Sequence, residues 1–147
     1  MIREATPGDL PALLVLGRAY FVEAGHDCAI DRFDPPSFAK TLSECHDCGL
    51  LRVAEADGHI VGMIGARVAA SPFNNSVLLA RTIFLYSRPD YRKGIAGELL
   101  RSIEDAGRSL GATNLYGAAE EGKRSSLARV FAAGSFSPAE HTFRKRL

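Results

Sequence analysis

The chain has no uninterrupted apolar run approaching the roughly 20 residues a membrane-spanning helix needs, and its opening Met1-Ile2-Arg3-Glu4 carries no apolar targeting stretch. A soluble, cytoplasmic protein with no membrane partner is expected. An excess of one charge is missing too: 18 Lys and Arg stand against 17 Asp and Glu, for a formal net charge of +1. Nothing global then favours nucleic acid or an anionic surface as a partner, so any positive site must be local. Cysteine is sparse, with Cys28, Cys45 and Cys48 only. An odd count in a chain of 147 residues, large enough to fold without staples, favours reduced thiols. Repeats, linkers and low-complexity tracts are absent, and a single domain over residues 1–147 is expected.

The thiols still need weighing against a metal. Cys45-His46-Asp47-Cys48, with His26 and Cys28, could supply four zinc ligands. Those pairs would have to converge from separate segments, whereas small residues closing a helix and entering a strand require nothing further. No metal is expected.

Ile2-Arg3-Glu4-Ala5 reads as a short strand, and Thr6-Pro7-Gly8-Asp9 as a helix start with Thr6 capping, Pro7 in the first turn and Asp9 in the third position. Leu10, Leu13, Leu14, Gly17, Tyr20 and Phe21 share one face of that helix. Asp34-Pro35-Pro36-Ser37 opens a second, short helix with Phe38 and Leu42 inward. Residues 50–56 and 59–70 are β-rich runs joined by Asp57-Gly58, a dipeptide suited to the positive φ angles of a tight hairpin. Residues 77–86 form a third, nearly all-apolar strand expected in the middle of the sheet. A helix containing Leu99, Ile103, Ala106 and Leu110 follows, stopped by Gly111, and residues 113–119 return as a strand parallel to the previous one. A last short helix with Leu127, Val130 and Phe131 inward ends at Gly134, and Phe136 and residues 141–146 are expected to close the sheet. The reading is an α/β chain with a mixed sheet (α+β in layout), in the order β-α-α-β-β-β-α-β-α-β-β.

Between the third strand and its helix lies Arg88-Pro89-Asp90-Tyr91-Arg92-Lys93-Gly94-Ile95-Ala96-Gly97. A basic, glycine-containing turn ending at a helix N-terminus presents unpaired N–H groups and the positive end of the helix dipole, and phosphate suits that geometry. A dinucleotide-binding domain could use such a turn, but the repeated βαβ pattern and acidic ribose partner are missing.

This element order resembles the GNAT superfamily of acetyl-CoA-dependent N-acetyltransferases over almost the whole chain. Local echoes are Ile2-Arg3-Glu4-Ala5-Thr6-Pro7-Gly8-Asp9-Leu10-Pro11, Gly58-His59-Ile60-Val61-Gly62 and Pro89-Asp90-Tyr91-Arg92-Lys93-Gly94-Ile95-Ala96-Gly97. Among members it looks most like the short, compact acyltransferases often found in bacteriophage genomes. The family's turn, R/Q-x-x-G-x-G/A, fits in two registers. From Arg92, Gly97 falls at the last position but Ile95 stands where glycine is expected. From Tyr91, Gly94 and Ala96 take their usual places and the leading arginine is lost.

The resemblance implies that backbone amides from Arg92 through Lys93, Gly94, Ile95 and Ala96 to Gly97 cradle the pyrophosphate of coenzyme A, with Arg92 and Lys93 adding charge. It implies that Phe84 and Leu85 lie beside the pantetheine arm, where the strand pair splays, with Tyr116 and its neighbours as the other wall. Arg124 and Ser125 would touch the cofactor. The strand over residues 77–86 has no carboxylate for a general base, which leaves Glu120 or Glu121. The tyrosine that many members use as general acid aligns with Phe131, which cannot donate a proton, so Tyr116 is the expected substitute, with Tyr86 as another. All three cysteines precede the cofactor half, so direct transfer from acetyl-CoA to an amine acceptor is expected, without an acyl-enzyme. The alternative is a non-catalytic acyl-CoA-binding or protein-interaction module. The acceptor, and pairing of two copies as a homodimer, stay open.

Overall fold

A computed structural model describes residues 1–26, 31–119 and 126–147. Five strands form one mixed sheet in the order β1-β2-β3-β4-β5. They are β1 (Ile2–Glu4), β2 (Leu51–Ala56), β3 (His59–Ser71), β4 (Asn74–Ser87) and β5 (Ala112–Tyr116). Four helices accompany them: α1 (Leu10–Glu23), α2 (Pro35–Asp47), α3 (Arg92–Ser109) and α4 (Ser126–Ala133). Strands β1 to β4 pair antiparallel, and β5 joins β4 in parallel, as a helical return from β4 through α3 requires.

The handover from β1 to α1 is set by Asp9. Its carboxylate accepts from the Thr6 N–H at 2.8 Å and receives Arg3 Nη1 and Nη2 at 2.8 and 2.9 Å. The hydrogen bonds from Arg3 hold the Asp9 carboxyl well below the usual carboxylate range, against the opposing effect of burial. The second helix extends to 13 residues rather than being short, with Asp34 capping it by accepting from the Ser37 N–H at 3.0 Å. On α1, Leu13 and Gly17 are buried as expected and Leu16 is buried beside them, while Leu10, at the helix start just after a short 3-10 turn over Pro7–Asp9, is exposed. The β2–β3 hairpin closes through Asp57 and Gly58, both at positive φ (52° and 73°).

Two apolar layers cover the sheet. On one face α3 and α4 bring Leu99, Leu100, Ile103 and Phe131 against Val61, Ile64 and Leu85. On the other, α1 and α2 bring Leu13, Leu16 and Leu42 against Val53, Met63, Phe84 and Tyr86. The two strands expected at Phe136 and over residues 141–146 do not form: no strand lies beyond α4, and Phe143 and Leu147 are exposed. A segment becomes a strand only where a sheet edge is free to pair with it. An ion pair from Arg81 to Glu140 at 2.8 Å ties this terminal segment to β4.

Candidate active site

The parallel ladder between β4 and β5 ends early. Its partners run from Leu78 with Ala112 to Arg81 with Tyr116, and β5 stops at Tyr116, three residues short of the expected boundary. Beyond that point β4 continues to Ser87, paired to β3 on one edge and to no strand among the described residues on the other. Two local causes separate the strands. Ile83 is the extra residue of a β-bulge, since Ala66 faces Thr82 while Gly65 faces Phe84, and a bulge bends and twists its strand. On the β5 side, the Phe131 ring fills the space a side chain at Gly117 would need. The result is a wedge-shaped opening at whose apex the Thr82 hydroxyl donates to the Tyr116 carbonyl at 3.3 Å.

The basic turn lies at the far end of that open edge. Its helix is interrupted at Lys93 (ψ 102°) and Gly94 (φ 87°), so continuous helical geometry begins at Ile95. A φ of 87° is accessible to glycine at no steric cost and strained for other residues. Gly97, by contrast, is helical, and a Cβ there would meet nothing within 4 Å. The backbone therefore supports the register that starts at Tyr91, with Gly94 and Ala96 in the glycine and small-residue positions. Tyr91 itself packs on the α3 side of the sheet, with its hydroxyl 3.4 Å from Asp57. The first turn from Ile95 carries N–H groups without intrahelical acceptors, the donor set an anion needs. Gly62 on β3 lets that turn sit close to the sheet: a Cβ there would lie 3.1 Å from Ile95 and from Leu99.

The side chains divide unevenly over this frame. Lys93 is exposed and has no ion-pair partner among the described residues. Arg92 is turned away from the helix start: its Nε donates to the Ser87 carbonyl at 3.3 Å and its guanidinium pairs with Glu23 at the end of α1. Phe84 and Leu85 are both buried, on opposite faces of the sheet, so the element of β4 that faces the opening is its backbone. Tyr116 lies under the Arg81 guanidinium, 4.9 Å from ring centre to cation. Glu120, Glu121, Arg124 and Ser125 fall outside the described residues, as does Cys28.

Tyr86, the other tyrosine near the opening, belongs to a group the sequence did not bring together. Its ring is 5.9 Å from Tyr20, and its phenol is pushed up by burial first and then by the charge of Glu23. Glu23 and Arg92 are 69 positions apart and carry no local motif that pairs them. Phe131 is buried against Phe136, at 5.1 Å between ring centres. Cys45 and Cys48 turn into different apolar layers, and burial pushes the Cys45 thiol up to about 11.

On the α1 and α2 side, a cavity of about 220 Å³ reaches the β4 bulge and is lined by Gly17, Tyr20, Phe21, His26, Phe33, Phe38, Thr41, Ile83 and Phe84. Sequence patterning assigned Tyr20, Phe21 and Phe38 to the core. The density of aromatic residues between positions 20 and 38 was the available signal.

Comparison with known proteins gives one consistent pattern. The model of the Acetyltransferase (GNAT) family matches residues 12–130. No curated protein matches the chain by sequence. Among solved structures, the ribosomal-protein-alanine N-acetyltransferase of Brucella melitensis biovar Abortus 2308 is similar with a TM-score of 0.76 at 18% identity, over 100% of this chain and 99% of that one. AAC(6')-Iy, in complex with the bisubstrate analogue CoA-S-monomethyl-acetylneamine, has a TM-score of 0.75 at 20% identity, over 100% and 98%. The aminoglycoside 6'-N-acetyltransferase AAC(6')-IG of Acinetobacter haemolyticus has a TM-score of 0.73 at 16% identity, over 100% and 99%. At these identities the likeness is one of fold.

Proposed function

Because the chain belongs to the GNAT acetyltransferase family, we propose that it transfers the acetyl group of acetyl-CoA to a primary amine of a small molecule or protein. The chain acts as one domain, and the amine attacks directly in a ternary complex. The observation that carries this reading is the combination of an unpaired β4 edge, opened by the Ile83 bulge, with a turn that needs glycine at Gly94 immediately after the strand. Acetyl-CoA, when bound, supplies an activated carbonyl on a thiolate leaving group.

The residues present fit such a ligand. The first-turn amides from Gly94 to Gly97 suit a pyrophosphate, and they ask nothing of side chains except room. Lys93 adds a mobile positive charge at the same end. The edge of β4 from Thr82 to Tyr86, which pairs with no strand among the described residues, suits an extended amide-bearing arm in the way a missing strand would. An N–H at the bulge polarises the carbonyl that the amine attacks. Carbon–nitrogen bond formation accompanies carbon–sulfur cleavage. Water or Glu120 removes the amine proton, and Tyr116 returns a proton to the departing sulfur. Arg124 and Ser125, just before α4, complete the proposed cofactor contacts.

Calorimetry with acetyl-CoA and a thiol-release assay across an amine panel test the proposal together. Binding with turnover on at least one amine supports it. Binding without turnover on any amine would leave a non-catalytic acyl-CoA-binding module, and no binding would overturn both.

A further inference from the structure

The rings around the 220 Å³ cavity form a continuous series. His26 is stacked on Phe21 at 4.8 Å, Phe21 meets Phe33 at 5.9 Å, Phe33 meets Phe38 at 5.6 Å, and Phe38 meets Phe84 at 5.4 Å. The series ends on Phe84, next to the bulged Ile83 where β4 leaves β5. Gly17 makes this possible, because any side chain there would occupy the space of the Phe38 ring.

Charge selects further. No carboxylate lines the cavity among the described residues. Among the described carboxylates near it, Glu23 pairs with Arg92, Asp34 caps the start of α2 and Glu44 pairs with Arg67, while Asp31 lies 3.6 Å from His26. An adjoining hollow of about 250 Å³, which shares Phe21 and Phe33, is bordered by Arg18 and Arg32, with Arg18 5.7 Å from the centre of the Phe33 ring. Among the described residues, an acceptor with several positive charges meets two arginines and no carboxylate lining the cavity. A flat apolar body finds ring faces and edges on several sides. The cavity has room for one ring with a short arm.

Resting on the acetyltransferase reading, we infer that the acceptor is an arylalkylamine, a monoamine carried on an aromatic ring. Its ring occupies the Phe21, Phe33 and Phe38 cavity and its amine points to the β4 bulge. The nitrogen forms the amide bond as the carbon–sulfur bond breaks, and the proton the amine loses balances the one the thiolate gains. This sets the chain apart from neighbours whose names specify aminoglycosides.

The test uses the full chain with phenethylamine and with spermidine, read by saturation-transfer NMR for binding and by thiol release from acetyl-CoA for turnover. Thr41→Phe fills the cavity from the half-exposed face of α2, and Phe38→Ala enlarges it. Phenethylamine should show ring contacts and a kcat/KM at least about tenfold above that of spermidine. Thr41→Phe should lose about tenfold in both readouts while calorimetric affinity for acetyl-CoA stays unchanged. Absence of ring contacts, or contacts that Thr41→Phe leaves intact, overturns the inference. Preference for spermidine also overturns it but leaves the transferase reading standing. Ring contacts that Thr41→Phe removes, without thiol release from any amine, support the cavity's ligand class and count against the transferase reading.

Discussion

Arg81 on β4 and Tyr116 on β5 are the last partners of the parallel ladder, and the Arg81 guanidinium lies 4.9 Å from the centre of the Tyr116 ring. The contact sits at the point where the strands part and holds the aromatic ring at the apex of the opening. Tyr116→Phe keeps that ring under the cation and removes only the hydroxyl. If the phenol protonates the leaving sulfur, kcat should fall about 100-fold, with the KM for acetyl-CoA and the melting temperature unchanged. Steady-state kinetics and a thermal melt check this, and an unchanged kcat removes Tyr116 from the chemistry.

The two glycines of the turn should respond in opposite ways. Gly94→Ala forces a side chain into the left-handed region, which costs about 1–2 kcal/mol, and should weaken acetyl-CoA binding by at least about tenfold, a loss of about 1.4 kcal/mol. Gly97→Ala lies within helix and open space, so it should raise stability by up to about 1 kcal/mol. Urea melts and calorimetry on the two variants decide the register; a damaging Gly97→Ala and a harmless Gly94→Ala would restore the alignment from Arg92.

Arg92 is claimed by Glu23, so the two residues should have opposite effects on coenzyme A. Arg92→Gln removes a cation near the pyrophosphate turn and should weaken binding several-fold. Glu23→Gln frees that cation and should tighten binding by a similar factor, more at low salt than at high salt. Stability should change by less than about 1 kcal/mol in both, as for exposed ion pairs generally. Calorimetric titrations at two ionic strengths test the signs.

The Arg3 and Asp9 pair gives a pH signature. Asp9 has its folded pKa lowered, chiefly by the hydrogen bonds from Arg3. Its contribution to stability is therefore fully present above the unfolded carboxylate value of about 3.9 and is lost as pH falls below it. Asp9→Asn should cost about 1–2 kcal/mol at neutral pH through the lost cap and pair. The gap between wild type and variant in urea melts should then narrow progressively as pH falls below about 4. A gap that persists into acid would assign the stabilisation to packing instead.

Legibility followed the range of the interaction. The hairpin at Asp57-Gly58 was readable because the turn residues themselves impose the positive φ angles observed there. The helix starts at Thr6 and Asp34 were readable because a cap spans only a few positions. The two strands expected at Phe136 and over residues 141–146 did not form, since pairing depends on an edge elsewhere in the chain. Phe131 was recognisable as a departure from the family's usual tyrosine, but its contact with Gly117 was not, because the two approach only when α4 folds over the end of β5.

Local chemistry in the sequence determined the run of strands and helices up to α4, the hairpin and the existence of a glycine turn between an apolar strand and an amphipathic helix. Each is encoded by side-chain periodicity or by backbone preferences that act within a few residues. Tertiary structure alone decided the register of that turn, through the φ of Gly94, and the diversion of Arg92 to Glu23. It also brought Phe21, Phe33, Phe38 and Phe84 to one wall. Those outcomes depend on distant segments meeting across the sheet, and no spacing along one segment records which partners will meet.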